Sequence, residues 1–169
     1  VYEELVGWPE SERFFDDMIK IEQGSWKQEA GTAITHHSTQ QSFYLEFLKA
    51  ASKSGWFRGQ LLKLDDEPIT YNYGVSFNGN YIDLKGTFVQ QYKNLGPGNV
   101  LAKIQFEKMF EQDVKFYDFM GDCDDYKMRW AKDTYTRSTY LIFNNTIKAR
   151  LALILNRLFS ALKSKNEAN

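Results

Sequence analysis

Apolar side chains recur at helical spacing twice in the first third of the chain. In residues 9–22, PESERFFDDMIKIE, Pro9 and Ser11 open a stretch that places Phe14, Phe15, Met18 and Ile21 on one face, which predicts a helix. Residues 41–54, QSFYLEFLKAASKS, repeat the pattern with Phe43, Phe47, Leu48 and Ala51, and Gly55 follows as the stop. The period then changes from helical to two. Residues 55–64, GWFRGQLLKL, read as a strand and 65–68, DDEP, as a turn. Residues 69–77, ITYNYGVSF, alternate without a break, with Ile69, Tyr71, Tyr73, Val75 and Phe77 on one face and Thr70, Asn72, Gly74 and Ser76 on the other. The Tyr71, Tyr73 and Phe77 face resembles a stacking platform, but under packed helices it reads as core. Residues 78–80, NGN, make a tight turn into 81–88, YIDLKGTF, so three strands form an antiparallel meander.

Next comes Gly96-Pro97-Gly98, followed by Val100, Leu101, Ile104, Phe106, Met109 and Phe110 at helical spacing, with Lys103, Glu107, Lys108 and Glu111 free to face water. Two readings of the tripeptide stay open. One is a bare turn with Asn99 as the N-cap of the helix. The other is an anion site, because a helix N-terminus presents unpaired N–H groups and glycines let a phosphate come close to the backbone; Pro97 donates no N–H, so such a nest has one contact fewer than it might. Residues 114–121, VKFYDFMG, read as a strand, 122–133 as a polar connector with a short helix, and 134–143, TYTRSTYLIF, as another strand. Apolar positions 147, 151, 154, 155, 158 and 162 mark a long amphipathic helix over 145–163, suited to cap the domain or pack on a partner.

The length, 169 residues, suits one domain or one half of a larger enzyme. Lys and Arg number 21 against 22 Asp and Glu, so no global positive field gathers DNA. One cysteine, Cys123, rules out an internal disulfide and predicts a reducing compartment. With no signal peptide or membrane span in the pattern, the expected location is the cytoplasm. The start at Val1 rather than Met predicts an excised piece of a longer protein.

Four segments carry a family resemblance: IEQGSWKQEAG (21–31), GWFRGQLLKLDDEPITYNYGV (55–75), LKGTFVQQYKNLGPGNVL (84–101) and YDFMGDCDDYKMRWA (117–131). In their order, and with a Gly-rich turn between the third meander strand and a helix, they resemble the GNAT acyltransferase superfamily. The nearest likeness is to the cellulose-biosynthesis-associated acetyltransferase group, with the Fem-type aminoacyltransferases of peptidoglycan bridges as distant relatives. The resemblance implies an α/β (α+β) fold, a mixed, mainly antiparallel sheet flanked by helices. It implies a GNAT-like acyltransferase domain over 1–143, with 144–169 as a C-terminal helix packed on the domain or on a missing partner.

The resemblance also implies the chemistry. An acyl group, acetyl by expectation, passes from acyl-CoA to an amine or hydroxyl of a sugar, amino acid or cell-envelope precursor. No metal is implied. Gly96, Gly98, Asn99 and Val100 are expected to hold the coenzyme A pyrophosphate. Relatives are commonly twice this length, so an N-terminal GNAT-like half is expected as a partner. Two alternatives stand beside this: a Fem-type enzyme taking aminoacyl-tRNA as donor, and a non-catalytic half that binds the acceptor.

Acyl transfer needs a base, an oxyanion donor and an acid for the thiolate, much of which backbone amides and positioning supply. Asp118, in a strand between Tyr117 and Phe119, is the candidate base or a partner that orients Lys127; the plain alternative is a strand-end carboxylate paired with a surface lysine. Lys127 and Arg129 are candidates to contact a substrate carboxylate, a donor phosphate or a developing oxyanion. Tyr126 is the candidate acid, or a packing residue with a wet hydroxyl, and Trp130 reads as core. By family likeness Trp26 and Lys27 line the substrate cleft; Trp26 equally serves as an anchor after the first helix. His36 and His37 point apart in an extended chain and make a poor metal pair, although either is a candidate base. Cys123, flanked by Asp122, Asp124 and Asp125, is poorly placed for a nucleophile, and that acidic cluster lacks the spacing of a Ca²⁺ loop.

Overall fold

The computed structural model describes residues 1–112, 114–138 and 140–166, with side chains described as far as Arg157. Val1–Asp124 and Asp125–Asn169 are separate compact units, each described by itself.

In the first unit, five strands, β1 (Tyr2–Leu5), β2 (Phe57–Leu64), β3 (Glu67–Phe77), β4 (Asn80–Phe88) and β5 (Phe116–Asp118), form one sheet in that order. β1 to β4 pair antiparallel, and β5 joins β4 in parallel. Two-residue turns with positive φ, Asp65–Asp66 and Asn78–Gly79, close the β2–β3 and β3–β4 hairpins. The helices are α1 (Glu10–Gln23), α2 (Trp26–Glu29), α3 (Ser38–Lys53) and α4 (Pro97–Glu111). A parallel β4–β5 pair needs a crossover, which α4 provides.

Each face of the sheet is covered. On one, Phe14, Met18 and Ile21 of α1 with Leu48 and Ala51 of α3 pack on Phe57, Leu61, Tyr71 and Tyr73. The Phe14 ring meets Phe57, Tyr71 and Tyr73 edge-on at centroid distances of 5.4, 5.9 and 6.0 Å. On the other face, Leu101 and Ile104 of α4 pack with Leu62 and Ile69.

β4 serves both faces because of a register shift. Lys85 pairs with Tyr73 while Asp83 pairs with Gly74, which leaves Leu84 as the extra residue of a β-bulge. Unbroken alternation would point 81, 83, 85 and 87 the same way; the bulge turns Tyr81 and Asp83 toward α4 and Lys85 and Thr87 toward α1. Opposite the bulge, Gly74 is the only residue type that fits. A Cβ there would lie 2.2 Å from the Ile82 carbonyl oxygen and 2.6 Å from the Tyr81 ring.

Under α4 lies a polar network. Tyr81 hydroxyl bonds Gln60 Oε1 (3.3 Å) and Asn72 Oδ1 (3.2 Å), and Gln105 Nε2 donates to the same oxygens at 3.4 and 3.2 Å. Asn72 Nδ2 donates to Asp83 Oδ1 (3.0 Å), whose other oxygen accepts from Tyr117 (3.0 Å). These bonds tie β2, β3, β4, α4 and β5 together through buried polar groups that have partners.

Several elements differ from expectation. β1 is an edge strand whose YEEL sequence carries little alternation. α4 starts two residues before Asn99, with Gly96 as its N-cap and Pro97 at its first position, so Asn99 is not the cap. Its buried face is Pro97, Leu101, Gln105 and Met109 in steps of four, so polar Gln105 is inside and Phe110 is 84% exposed. Phe77 is likewise exposed, at the far end of the alternating β3 face.

The second unit has two helices among its described residues, α5 (Asp125–Met128) and α6 (Ile147–Asn166). The strand expected over 134–143 is not formed by 134–138 and 140–143; Thr139 lies outside the described residues. An extended segment becomes a strand by pairing, and among the described residues its own unit has no strand to pair with. Along α6, Ile147, Leu151, Ile154 and Leu155 are exposed, while the side chains at 158 and 162 lie beyond those described. Among the described residues no helix is long and apolar enough to cross a membrane.

Gly74→Ala tests the bulge. The added methyl has backbone, not a flexible side chain, in its way, so the urea midpoint should fall at unchanged m-value by the equivalent of about 3 kcal/mol.

Candidate active site

The helix start singled out in the sequence lies at the C-terminal end of β4. Chain leaving β4 makes a 3₁₀ turn, Gln90–Leu95, and ends it at Gly96 in the left-handed region, φ 60°. Gly96 carbonyl then accepts from Asn99 and Val100 amides at 3.0 and 3.1 Å. Pro97 has no N–H, so Gly98 carries the first amide of the helix. A Cβ built on Gly98 would be 3.7 Å from the Phe88 ring, an ordinary contact. Asn99 and Val100 are exposed.

Beside this turn the sheet opens. β5 pairs with β4 only from Asn80↔Phe116 to Ile82↔Asp118, whereas β4 runs on to Phe88. Among the described residues, no strand covers the outer edge of β4 past that point. Asp118 stands where the two strands part. Its Oδ1 accepts from Met120 N at 2.8 Å, a local side-chain turn at Met120, φ 53°.

On the α1 side, the same half of β4 meets a buried charge cluster that sequence reading missed. Glu22, in the last turn of α1, has no solvent exposure. Its Oε2 accepts from the Ile34 amide (2.6 Å) and its Oε1 from the Tyr71 hydroxyl (2.6 Å), with Lys85 Nζ at 3.0 Å and Lys27 Nζ at 3.5 Å. Burial pushes the Glu22 carboxyl up, yet Tyr71, the Ile34 amide, Lys85 and Lys27 outweigh it, and the net shift is downward. Glu22 therefore stays ionised, and its contribution to stability is present above the ordinary glutamate pKa and lost as pH falls through the depressed folded-state value. The signal was available: Phe14, Met18 and Glu22 stand four apart, which puts a carboxylate on the core face of α1.

Lys27 is placed by α2, whose N-cap Ser25 accepts from the Lys27 amide at 3.2 Å. Its Nζ reaches across to donate to the Gly86 carbonyl of β4 at 2.9 Å. Burial first, then the neighbouring Lys85 charge, push the Lys27 ammonium down to about 8, against an opposing pull from Glu22. Lys85 also lies 5.4 Å from the centre of the Tyr44 ring. Burial, with Glu22 adding to it, drives the Tyr71 phenol well up, and burial with Tyr44 does so for Tyr73, so both are neutral. Trp26, next to Lys27, is exposed.

The structure thus places Trp26 and Lys27 on α2 by the open part of β4, the Gly96–Val100 turn at the end of β4, and Asp118 at the parting of β4 and β5. Tyr126 and Lys127, in α5, and Arg129 just after it belong to the second unit. There Lys127 Nζ lies 5.5 Å from the Tyr126 ring centre and its carbonyl accepts from Trp130 N at 2.9 Å. Trp130, expected in the core, is exposed. His36 Nε2 lies 3.1 Å from the Gln28 carbonyl in a 3₁₀ turn, and Cys123 is exposed. Among the described residues no three His, Cys, Asp or Glu side chains gather as a metal site.

Lys27 yields a prediction with a defined sign. Between its folded value of about 8 and the ordinary lysine value, the unfolded chain binds more protons, so stability rises with pH. From pH 8 to 9.5 the wild type should gain up to about 2 kcal/mol relative to Lys27→Met, measured by urea denaturation.

Residues 3–128 match the acetyltransferase (GNAT) domain family. No curated protein matches the chain in sequence. Among solved structures, an aminoglycoside acetyltransferase, meta-AAC0020, from an uncultured soil metagenomic sample, in complex with trehalose, is similar over 84% of this chain and 95% of its own, at 13% identity and TM-score 0.59. A probable acetyltransferase is similar over 86% of this chain and 99% of its own, at 9% identity and TM-score 0.58. The PaiA N-acetyltransferase of Thermoplasma acidophilum, in complex with coenzyme A, is similar over 68% of this chain and 75% of its own, at 15% identity and TM-score 0.51. At such identities the structural likeness speaks for the fold, and the family match over most of the chain speaks for the lineage. Taken together they make this chain a member of the GNAT acetyltransferase family, an enzyme of acyl transfer.

Proposed function

We propose that the protein moves an acetyl group from acetyl-CoA to the amine of a small acceptor along the uncovered edge of β4. The observation that carries this is the continuity of three features: an open strand edge past Ile82, a left-handed Gly96 after that strand, and a helix that begins at Gly96-Pro97-Gly98. The coenzyme A bound to PaiA N-acetyltransferase supports the choice of donor.

The residues fit a diphosphate, with a narrow set of donors. Gly98 offers its amide with no side chain over it, at the positive end of a fifteen-residue helix. Asn99 and Val100, whose amides turn back on Gly96, add exposure beside it rather than further free amides. The acceptor nitrogen attacks the thioester carbonyl, the C–N bond forms as the C–S bond breaks, the nitrogen gives up a proton and the thiolate takes one. Backbone N–H groups on the edge of β4 that no described strand covers are suited to steady the carbonyl oxygen. Asp118, at the parting of the strands, is the proposed base for the amine proton, and Trp26 and Lys27 lie on the acceptor side. Tyr126 as acid and Lys127 and Arg129 as anion contacts rest on the family resemblance alone.

The acceptor class remains that expected from sequence, an amino acid, sugar or envelope precursor bearing an amine or hydroxyl. The aminoglycoside enzyme among the neighbours is compatible with an amine acceptor, the more nucleophilic of the two groups.

Two variants check this. Gly98→Ala puts a methyl where the donor phosphate comes, at a helical position where Ala costs nothing and the nearest atom is an ordinary contact away. The KM for acetyl-CoA should rise about ten-fold or more, a loss of about 1.4 kcal/mol of binding, while Tm holds or rises. Asp118→Asn keeps an oxygen for the Met120 amide and removes the charge. Its kcat should fall at least about 100-fold at unchanged Tm; an unchanged kcat would leave Asp118 as a turn residue and move the base elsewhere.

A further inference from the structure

The Glu22 cluster holds one more cation than anion. Lys27 and Lys85 both turn to Glu22 Oε1, which also accepts from Tyr71, and the Ile34 amide occupies Oε2, so both carboxylate oxygens are in use. Lys85 at 3.0 Å is the closer ion pair; Lys27 at 3.5 Å is the surplus charge, with the Gly86 carbonyl as its other partner. Uncompensated charge next to a buried site works against folding; burial first, and then the neighbouring Lys85 charge, depress the Lys27 ionisation. A purely structural role for Glu22 is met by one lysine.

Three further observations point outward from the pair. The Lys27 and Lys85 side chains keep 13% and 14% exposure, so each ammonium sits at the boundary of the cluster rather than sealed within it. Thr87, two residues past Lys85 on the same face of β4, buries its hydroxyl with no hydrogen-bond partner. Exposed Trp26 adjoins Lys27, and the Tyr44 ring lies against Lys85, so apolar surface flanks both cations.

We propose that Lys27 and Lys85 together hold a carboxylate of the acceptor, which makes the acceptor an amine that also carries a carboxylate, of the amino-acid or peptide type. A single negative charge balances the cluster, whereas a polycationic amine is repelled by it and a phosphate dianion overshoots it. The word acceptor rests on the acyl-transfer reading above; the anion site itself does not. Lys85 and the chemical class of the ligand are the new elements.

The test uses ¹³Cε–¹H NMR signals of Lys27 and Lys85 in the full chain near neutral pH, with no acyl-CoA present. The probes are N-acetyl-L-alanine, its neutral amide and inorganic phosphate. N-acetyl-L-alanine should shift both lysine signals saturably and raise the midpoint of the Lys27 titration, and the amide should need about ten-fold higher concentration or more for the same shift. Lys27→Met should weaken carboxylate binding about ten-fold or more. That variant leaves Lys85 paired with Glu22, and Lys85→Met leaves Lys27 paired with it, so each keeps the buried carboxylate compensated. An equal response to acid and amide, or undiminished binding in both variants, overturns the proposal. Phosphate binding tighter than the carboxylate overturns the carboxylate assignment. Since the donor is absent, failure here is separate from a failure of acetyl-CoA binding at Gly98.

Discussion

A carboxylate with no exposure to solvent holds five segments at one point. Glu22 ends α1, receives the Ile34 amide from the turn before α3, the hydroxyl of Tyr71 from β3, and the ammonium groups of Lys85 from β4 and Lys27 from α2. Removing Glu22 itself from such a buried, charged set typically costs about 3–5 kcal/mol, because the lysines that pair with it lose their counter-charge. The cluster therefore acts as a positional lock. It fixes where α2 lies against β4, and so where Trp26 and Lys27 stand relative to the uncovered strand edge.

The lock depends on the bulge at Leu84. Without it Lys85 would point to the α4 side, among Gln60, Asn72 and Gln105, and Glu22 would lose its closest cation. With it, β4 divides its labour. Tyr81 and Asp83 complete the polar network that seats α4 and reaches Tyr117 of β5, while Lys85 and Thr87 face α1. The α4 start at the end of β4 and the Glu22 cluster on its α1 face both belong to the half of the strand beyond the bulge, so the proposed donor and acceptor sites share one stretch of β4. The bulge itself is possible because Gly74 lets the Ile82 carbonyl and the Tyr81 ring come close.

Much of the architecture was legible in the sequence, for reasons that are local. The Phe14–Met18–Ile21 and Leu48–Ala51 spacings mark α1 and α3, the strict alternation from Ile69 marks β3, and Asn78–Gly79 marks its hairpin. Each depends on periodicity or on turn chemistry within a few residues. What was not legible depends on partners. The bulge is a property of register between β3 and β4, invisible in an alternation that continues through YIDLKGTF. β1 exists because β2 offers an edge, and the 134–143 segment, equally strand-like in composition, has no such edge among the described residues of its own unit. Gln105 reads as surface until its position on the Leu101–Met109 face is set beside Gln60 and Asn72. At the site, Gly96, Gly98 and Lys27 stood out from motif or resemblance. Glu22 and Lys85 did not: the four-residue step from Phe14 and Met18 places Glu22 on the core face of α1, but nothing local names Lys85, sixty-odd positions away, as its partner.

The most direct measurement is a ¹⁵N amide NMR titration of this chain with acetyl-CoA. Binding at the helix start should shift Gly96, Gly98, Asn99 and Val100 most, with smaller shifts along β4 from Asp83 to Phe88. A folded sample in which these amides stay still while acetyl-CoA saturates would contradict it, and would separate the Gly96-Pro97-Gly98 turn from the donor altogether.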